Sequence, residues 1–244
     1  MNKLIFEKIN FVNLKHEEFN KIIKKNGLFV FPAAPALANI KKEINYYNSL
    51  KDADYAFFDS GFFVLLLKFF KKVKVERFSG YRFLGFLFSF IRKKKPKLFL
   101  IDPNKTFSLN NKSYIKNLGY KKSELYSYVA PKYNLNNLKD KKLIKILKNF
   151  RPKIILINLG GGTQEVLGSY LRSKINYNCR ILCTGAAISF FTGDQAPINN
   201  FIDKFYIGWL VRLVLNPVLY LRRFSKAYYL INIVRNGKIK SIRI

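Results

Sequence analysis

Lys153-Ile154-Ile155-Leu156-Ile157-Asn158-Leu159, then Gly160-Gly161-Gly162, then Thr163-Gln164-Glu165, is the stretch on which the fold turns. The first seven residues form an apolar, β-branched run that is too short for a buried helix and long enough for a strand covered on both faces. Three glycines make a tight turn, and Thr163 to Lys174 opens a helix. Outward from this unit the same alternation recurs. Arg180 to Thr184 reads as a strand ending at Gly185. Upstream, Leu138 to Phe150 reads as a lysine-rich amphipathic helix, and Leu125 to Ala130 and Lys97 to Ile101 as strands. Further back lie a strand at Ala53 to Asp59, a polar-faced helix at Ala36 to Leu50 and a strand at Gly27 to Pro32. Strands separated by helices of ten or more residues imply parallel βαβ units. The expected fold is therefore α/β: a Rossmann-like, mostly parallel sheet with helices on both faces.

Composition sets the limits on partners. The chain of 244 residues carries 45 Lys+Arg against 14 Asp+Glu, a formal charge of +31, yet 49% of its residues are hydrophobic. A disordered basic tail lacks the apolar content for a core, so this chain folds. Its charge must meet something anionic: nucleic acid, a membrane surface or a phosphate-bearing substrate. The N-terminus lacks a signal-peptide pattern, and the apolar runs Gly61 to Leu67 and Phe83 to Ile91 fall short of the roughly 18 residues that span a bilayer. Cys179 and Cys183 read as reduced core thiols, and the sole histidine, His16, as a surface residue.

After Pro197 the pattern changes, dividing the chain into an α/β catalytic domain, residues 1–197, and a basic C-terminal helical appendage, residues 198–244. Ile198 to Val214 reads as one helix, Asn216-Pro217 breaks it, and Val218 to Val234 reads as an amphipathic helix with Tyr220, Phe224 and Tyr228 four residues apart. Residues 201–244 hold nine Lys/Arg and one acid, 9 − 1 = +8. Such a segment can stack on RNA, lie on an anionic bilayer, or pack on the protein's own core; its one broad apolar side favours lipid over nucleic acid.

Ligands of open α/β sheets bind beyond the carboxyl ends of the strands. Asp59, the triple glycine and Gly185 all fall at such ends. The glycine turn and the helix that follows aim backbone N–H groups at an anion, although the stretch matches neither the dinucleotide fingerprint nor the P-loop. Thr163, Gln164 and Glu165 lie in the first helical turn, where Glu165 serves equally well as a dipole-complementing acid. Asp59 has the placement of a general base, and that of a helix N-cap with equal weight. Asp52-Ala53-Asp54 has an Asp-x-Asp spacing but precedes its strand, so capping is expected there and no metal site.

These residues resemble the WecG/TagA/CpsF glycosyltransferases, glycosyltransferase family 26, over about Ala53 to Ala227. INLGGGTQE (157–165) looks like the family's strand, glycine turn and Gln-Glu, and CTGAAISFFTGDQAP (183–197) like its Gly-Gly-Ala-Phe-Asp block leading to Ala-Pro. GWLVRLVLNPVLYLRRF (208–224) is similar to its Trp-x-x-Arg-Leu, Pro and Arg-Arg-Tyr run, ADYAFFDSG (53–61) to its Ala-Asp-x-x-x-x-Asp-Gly segment, and ERFSG (76–80) to its Arg-x-x-Gly. The resemblance implies a cytoplasmic, metal-independent, inverting enzyme, peripheral on the inner face of the cell membrane and using no cofactor. Such an enzyme moves an N-acetylmannosamine-type sugar from a UDP donor to a polyprenyl-diphosphate-linked acceptor during surface-polysaccharide synthesis.

Residue by residue, the resemblance makes Asp59 the base and places Gln164, Arg212, Arg222 and Arg223 in the catalytic set. Ser60, Gly160, Gly161, Gly162, Thr163, Glu165, Gly185, Ala186, Ser189 and Gln195 then line the substrate. The chain departs from the pattern at Ser60, where the family has glycine, at Ser189, where it has aspartate, and at Pro32 to Pro35, where it has Thr-x-Asn. The expected partners are a nucleotide sugar, the lipid-linked acceptor and an anionic membrane surface, with no nucleic acid and with homo-oligomerisation left open. The contrasting functions are a basic nucleic-acid-binding protein and a non-catalytic nucleotide-sugar scaffold.

Overall fold

The computed structural model describes residues 2–14, 16–194 and 228–242. The expected helix at 198–214, the expected helix at 218–234 as far as residue 227, the side chain of His16, and Gln195, Arg212, Arg222 and Arg223 lie outside what is described.

Nine strands join one sheet: β1 (Asn2–Phe6), β2 (Ile9–Asn13), β3 (Gly27–Val30), β4 (Tyr55–Phe57), β5 (Leu98–Asp102), β6 (Leu125–Val129), β7 (Ile154–Ile157), β8 (Arg180–Cys183) and β9 (Ile239–Ile242). Their order is β6-β5-β7-β8-β3-β4-β2-β1-β9. All pairings from β6 to β2 are parallel, and only β1 runs against its neighbours. The mostly parallel α/β sheet expected from the sequence is what forms. β3 and β8 are adjacent although about 150 residues separate them in the chain. Their carboxyl ends mark the seam between the two halves of the sheet.

Alternation along each strand feeds two cores. Leu28, Val30, Ile155 and Ile157 point into one layer, under α2 (Ala34–Leu37), α3 (Ile44–Lys51), α4 (Gly61–Lys71), α7 (Lys141–Phe150) and α8 (Thr163–Lys174). Phe29, Ile154, Leu156 and Leu182 point into the other, which holds residues of α1 (Phe19–Ile22), α5 (Gly80–Lys94) and α6 (Lys105–Asn117). The second layer is built on phenylalanine: the rings of Phe31 and Phe57 stack at 4.7 Å, with Phe83 tilted 5.0 Å from Phe31. Ser60, Ser79, Asn104 and Asp140 cap α4, α5, α6 and α7 by accepting a first-turn N–H.

The single helix expected over Ala36 to Leu50 is instead two. Asn39 accepts the N–H groups of Lys42 and Glu43 at its carbonyl and donates its side-chain amide to Pro35 O, so turns replace helix between α2 and α3. Both cysteines are free and buried, as expected. Asp54 caps nothing. Its Oδ2 accepts the Leu28 N–H at 2.8 Å and its Oδ1 pairs with Arg172 at 2.8 Å, tying β3 to α8.

The chain ends meet at one edge. β1 and β2 form a hairpin whose two-residue turn, Glu7-Lys8, has φ of 48° and 64°, the left-handed pair that a tight hairpin requires. Glu7 donates its backbone N–H to Lys238 O and accepts the Lys238 N–H at its side chain, which seats β9 against β1. A helix, α9 (Tyr229–Asn236), buries Leu230, Ile233 and Val234 in the first core just before β9.

Candidate active site

The glycine turn, the β8 exit and the β4 exit open at one edge of the sheet. α8 begins at Gly162, whose φ of +91° closes the turn in a conformation that only glycine adopts without strain. Glu165, at the third helical position, reaches back so that its Oε2 accepts the Gly162 N–H at 2.7 Å. Gln164 donates its Nε2 to Glu165 Oε1 at 2.9 Å, and its Oε1 accepts the Gly185 N–H at 2.6 Å. One amide side chain thus straps the β7 exit to the β8 exit. Gly185, at φ +59°, packs against this amide.

This geometry changes two expectations. Glu165 is fully buried and does not line the mouth; its carboxylate lies beneath the turn, where it holds the Gly162 N–H and the Gln164 amide. Gln164 is also buried, with both ends of its amide committed. The cradle is correspondingly smaller, because the Gly162 N–H belongs to Glu165 and the Gln164 N–H to Gly160 O. Gly160 and Gly161 remain exposed and Thr163 half-buried at the lip.

Burial pushes the Glu165 carboxyl up to about 7, against the pull of its hydrogen bonds from Gly162 and Gln164, and the nearby negative charge of Asp59 adds to the rise. That coupling brings Asp59 and the glycine turn within electrostatic reach of each other. Beneath them the Tyr46 hydroxyl and the Cys183 thiol are both pushed well up, chiefly by burial and further by Glu165.

Asp59 is half-buried, two residues beyond β4. Of the two roles open to it, the cap of α4 is taken by Ser60, whose Oγ accepts the Phe63 N–H at 3.2 Å. Asp59 Oδ1 instead accepts the Gly80 N–H at 2.8 Å, at the start of α5, and its carbonyl accepts Arg77 Nε at 2.8 Å. The carboxylate is thereby held by the first residue of α5, while the Arg77 guanidinium grips the backbone of Asp59 itself. Arg77 was visible in the sequence only as the first residue of the Arg-x-x-Gly stretch.

Ser189 is buried at the start of a short helix, Ser189–Thr192, because this helix packs inward against α6. Ala186 is exposed beside Gly185. A buried group that sequence reading missed lies at the end of β5. Asp102 Oδ1 accepts from Asn111 Nδ2 and Asn158 Nδ2, each at 2.7 Å, and burial pushes its carboxyl up despite these bonds. Asn158 lies two residues before Gly160, so Asp102 anchors the strand end that leads into the glycine turn. Its signal was a lone acid closing the apolar run Leu98–Ile101. Among the described residues no cluster of metal-ligating side chains forms.

A carboxylate, an arginine and two glycine turns gather at the carboxyl edge of a mostly parallel sheet, the edge at which open α/β folds bind their ligands. The chain belongs to the WecG/TagA/CpsF family of glycosyl transferases, whose sequence profile matches residues 5–242. A relative from Bacillus subtilis (strain 168), named N-acetylglucosaminyldiphosphoundecaprenol N-acetyl-beta-D-mannosaminyltransferase, is 23% identical over 233 residues, covering 91% of this chain and 85% of its own. The protein is a glycosyltransferase.

Proposed function

We propose that the enzyme moves an N-acetylmannosamine-type sugar or related hexose from a UDP-sugar to a polyprenyl-diphosphate-linked acceptor, with inversion and without a metal. The name of the Bacillus relative supports the donor sugar and the lipid-linked acceptor. The observation that carries the mechanism is Asp59, a half-buried carboxylate fixed at the mouth by Gly80, with Arg77 on its backbone carbonyl. Asp59 takes the proton of the acceptor hydroxyl as that oxygen attacks the anomeric carbon, and the UDP departs from the opposite side. Its diphosphate is met by amides of the glycine turn and by Arg212, Arg222 and Arg223 of the C-terminal segment. The acceptor's diphosphate lies at headgroup depth, so the enzyme works from the cytoplasmic face as a peripheral protein. No helix among the described residues is long and apolar enough to cross a membrane.

The test is Asp59→Asn, which keeps an oxygen for the Gly80 N–H while removing the base. Transfer from a UDP-sugar to a short prenyl-diphosphate sugar should fall by about 100-fold or more at unchanged melting temperature. Retained transfer would remove Asp59 from the chemistry.

A further inference from the structure

α4 buries Phe63, Val64, Leu66 and Leu67 and leaves its opposite face uncovered. Leu65 is 44% exposed, Phe69 69% and Phe70 36%. Positions 65, 68, 69 and 72 recur at helical spacing, so Leu65, Lys68, Phe69 and Lys72 share one side. Residues 61–75 contain four lysines, 68, 71, 72 and 74, and no acid. At the helix end Lys71 Nζ donates to Arg235 O at 2.9 Å, which brings the basic end of α9 alongside. Solvated lysines alone would be ordinary; two exposed phenylalanines and a leucine among them are not.

We infer that this face of α4 is a docking surface for an anionic lipid bilayer, with Leu65, Phe69 and Phe70 entering the interface and the lysines meeting phosphate headgroups. Ring geometry favours lipid over a nucleic acid. Phe69 and Phe70 stand edge to face, 5.0 Å apart at 86°, so the two rings do not form the parallel platforms on which successive bases stack, and Lys72 Nζ lies 5.7 Å over the Phe69 ring. A helix lying flat on the membrane also keeps its first residues at the surface. Those residues follow Asp59 and Ser60, so docking through α4 holds the mouth at the depth of a lipid-linked diphosphate. The inference deepens the proposed function, from which it takes the membrane as partner, and locates the contact on a helix of the α/β domain.

Full-length protein is sedimented with phosphatidylcholine vesicles containing or lacking phosphatidylglycerol. The wild type should bind the anionic vesicles, more weakly as salt rises. Phe69→Asp/Phe70→Asp should lower the partition coefficient about tenfold, and Lys68→Glu/Lys72→Glu should lower it comparably. Both pairs are exposed, so far-UV circular dichroism should match the wild type. Wild-type partitioning by both variants would overturn the inference. So would a wild-type dimer in sedimentation velocity that both variants abolish, or an RNA gel-shift lost in the phenylalanine variant, since either would assign the face to another partner. Transfer to a short, water-dispersed acceptor should be equal in all three proteins. Its absence from the wild type would count against the catalytic reading and leave the vesicle result standing.

Discussion

Glu165 has a carboxyl pushed up to about 7 where an ordinary glutamate titrates near 4.5. Between those values the folded protein holds a proton that the unfolded chain has released. Stability therefore falls as pH rises through the window from about 4.5 to 7, by up to about 3 kcal/mol, and is flat above it. Glu165→Gln stays neutral throughout. Its amide can accept one of the two N–H donors that Glu165 now binds, and meets the other with a hydrogen of its own. The variant should lose about 1 kcal/mol at pH 5 and lack the wild-type decline toward pH 8, as read by urea unfolding at both values. A variant that keeps the wild-type slope would place the titration on another group. The sequence located Gln164 and Glu165 correctly in the first turn of a helix, but spacing along a chain says nothing of direction. Only the fold decides that one straps two loops and the other lies beneath them.

At the scale of elements, the unit from Lys153 to Lys174 was legible because each local signal agreed: a β-branched run, glycines at a required turn, then a helix spanning Thr163–Lys174 as expected. Ala36 to Leu50 was misread because apolar spacing persists across a break imposed by Asn39. The N-cap of α4, offered by the sequence to Asp59 as one of two roles, falls on Ser60, one residue later. How closely α8 approaches the sheet could not be read at all. A Cβ on Gly168 would stand 2.7 Å from Leu28 Cδ1 and 2.8 Å from Cys183 Sγ. In an open helix Gly→Ala gains up to about 1 kcal/mol, whereas overpacking of a close helix–sheet contact costs about 1–3 kcal/mol. The clash is with buried groups on β3 and β8, the two strands at the seam, which have little room to yield. Gly168→Ala should therefore destabilise the protein by about 1–2 kcal/mol in thermal unfolding, and a stabilised variant would refute this packing.

For the molecule as a whole, a charge of +31 understates how one-sided the surface is. Several of the few acids are spent inside: Asp102 on two asparagines, Glu165 on the glycine turn, and Asp140 on the hydroxyls of Tyr128 and Tyr133 at 2.9 and 2.7 Å. The remaining field is strongly basic, suiting a protein whose proposed ligands all carry phosphate. The joining of the chain ends was hidden from sequence because its parts are weak alone. β9 is four residues, and neither it nor the β1–β2 hairpin holds a helix-scale pattern; their pairing is a contact across more than 230 residues. Removal of residues 238–244 should expose this dependence. β1 would become an edge strand with unpaired backbone groups, Glu7 would lose Lys238, and α9 would lose the strand that follows it. If β9 belongs to the cooperative unit, loss of its ladder should lower Tm by at least about 4 °C and raise light scattering on heating, since a freed, flat edge recruits other chains. An unchanged Tm would mean that β9 docks on a sheet already complete at β1.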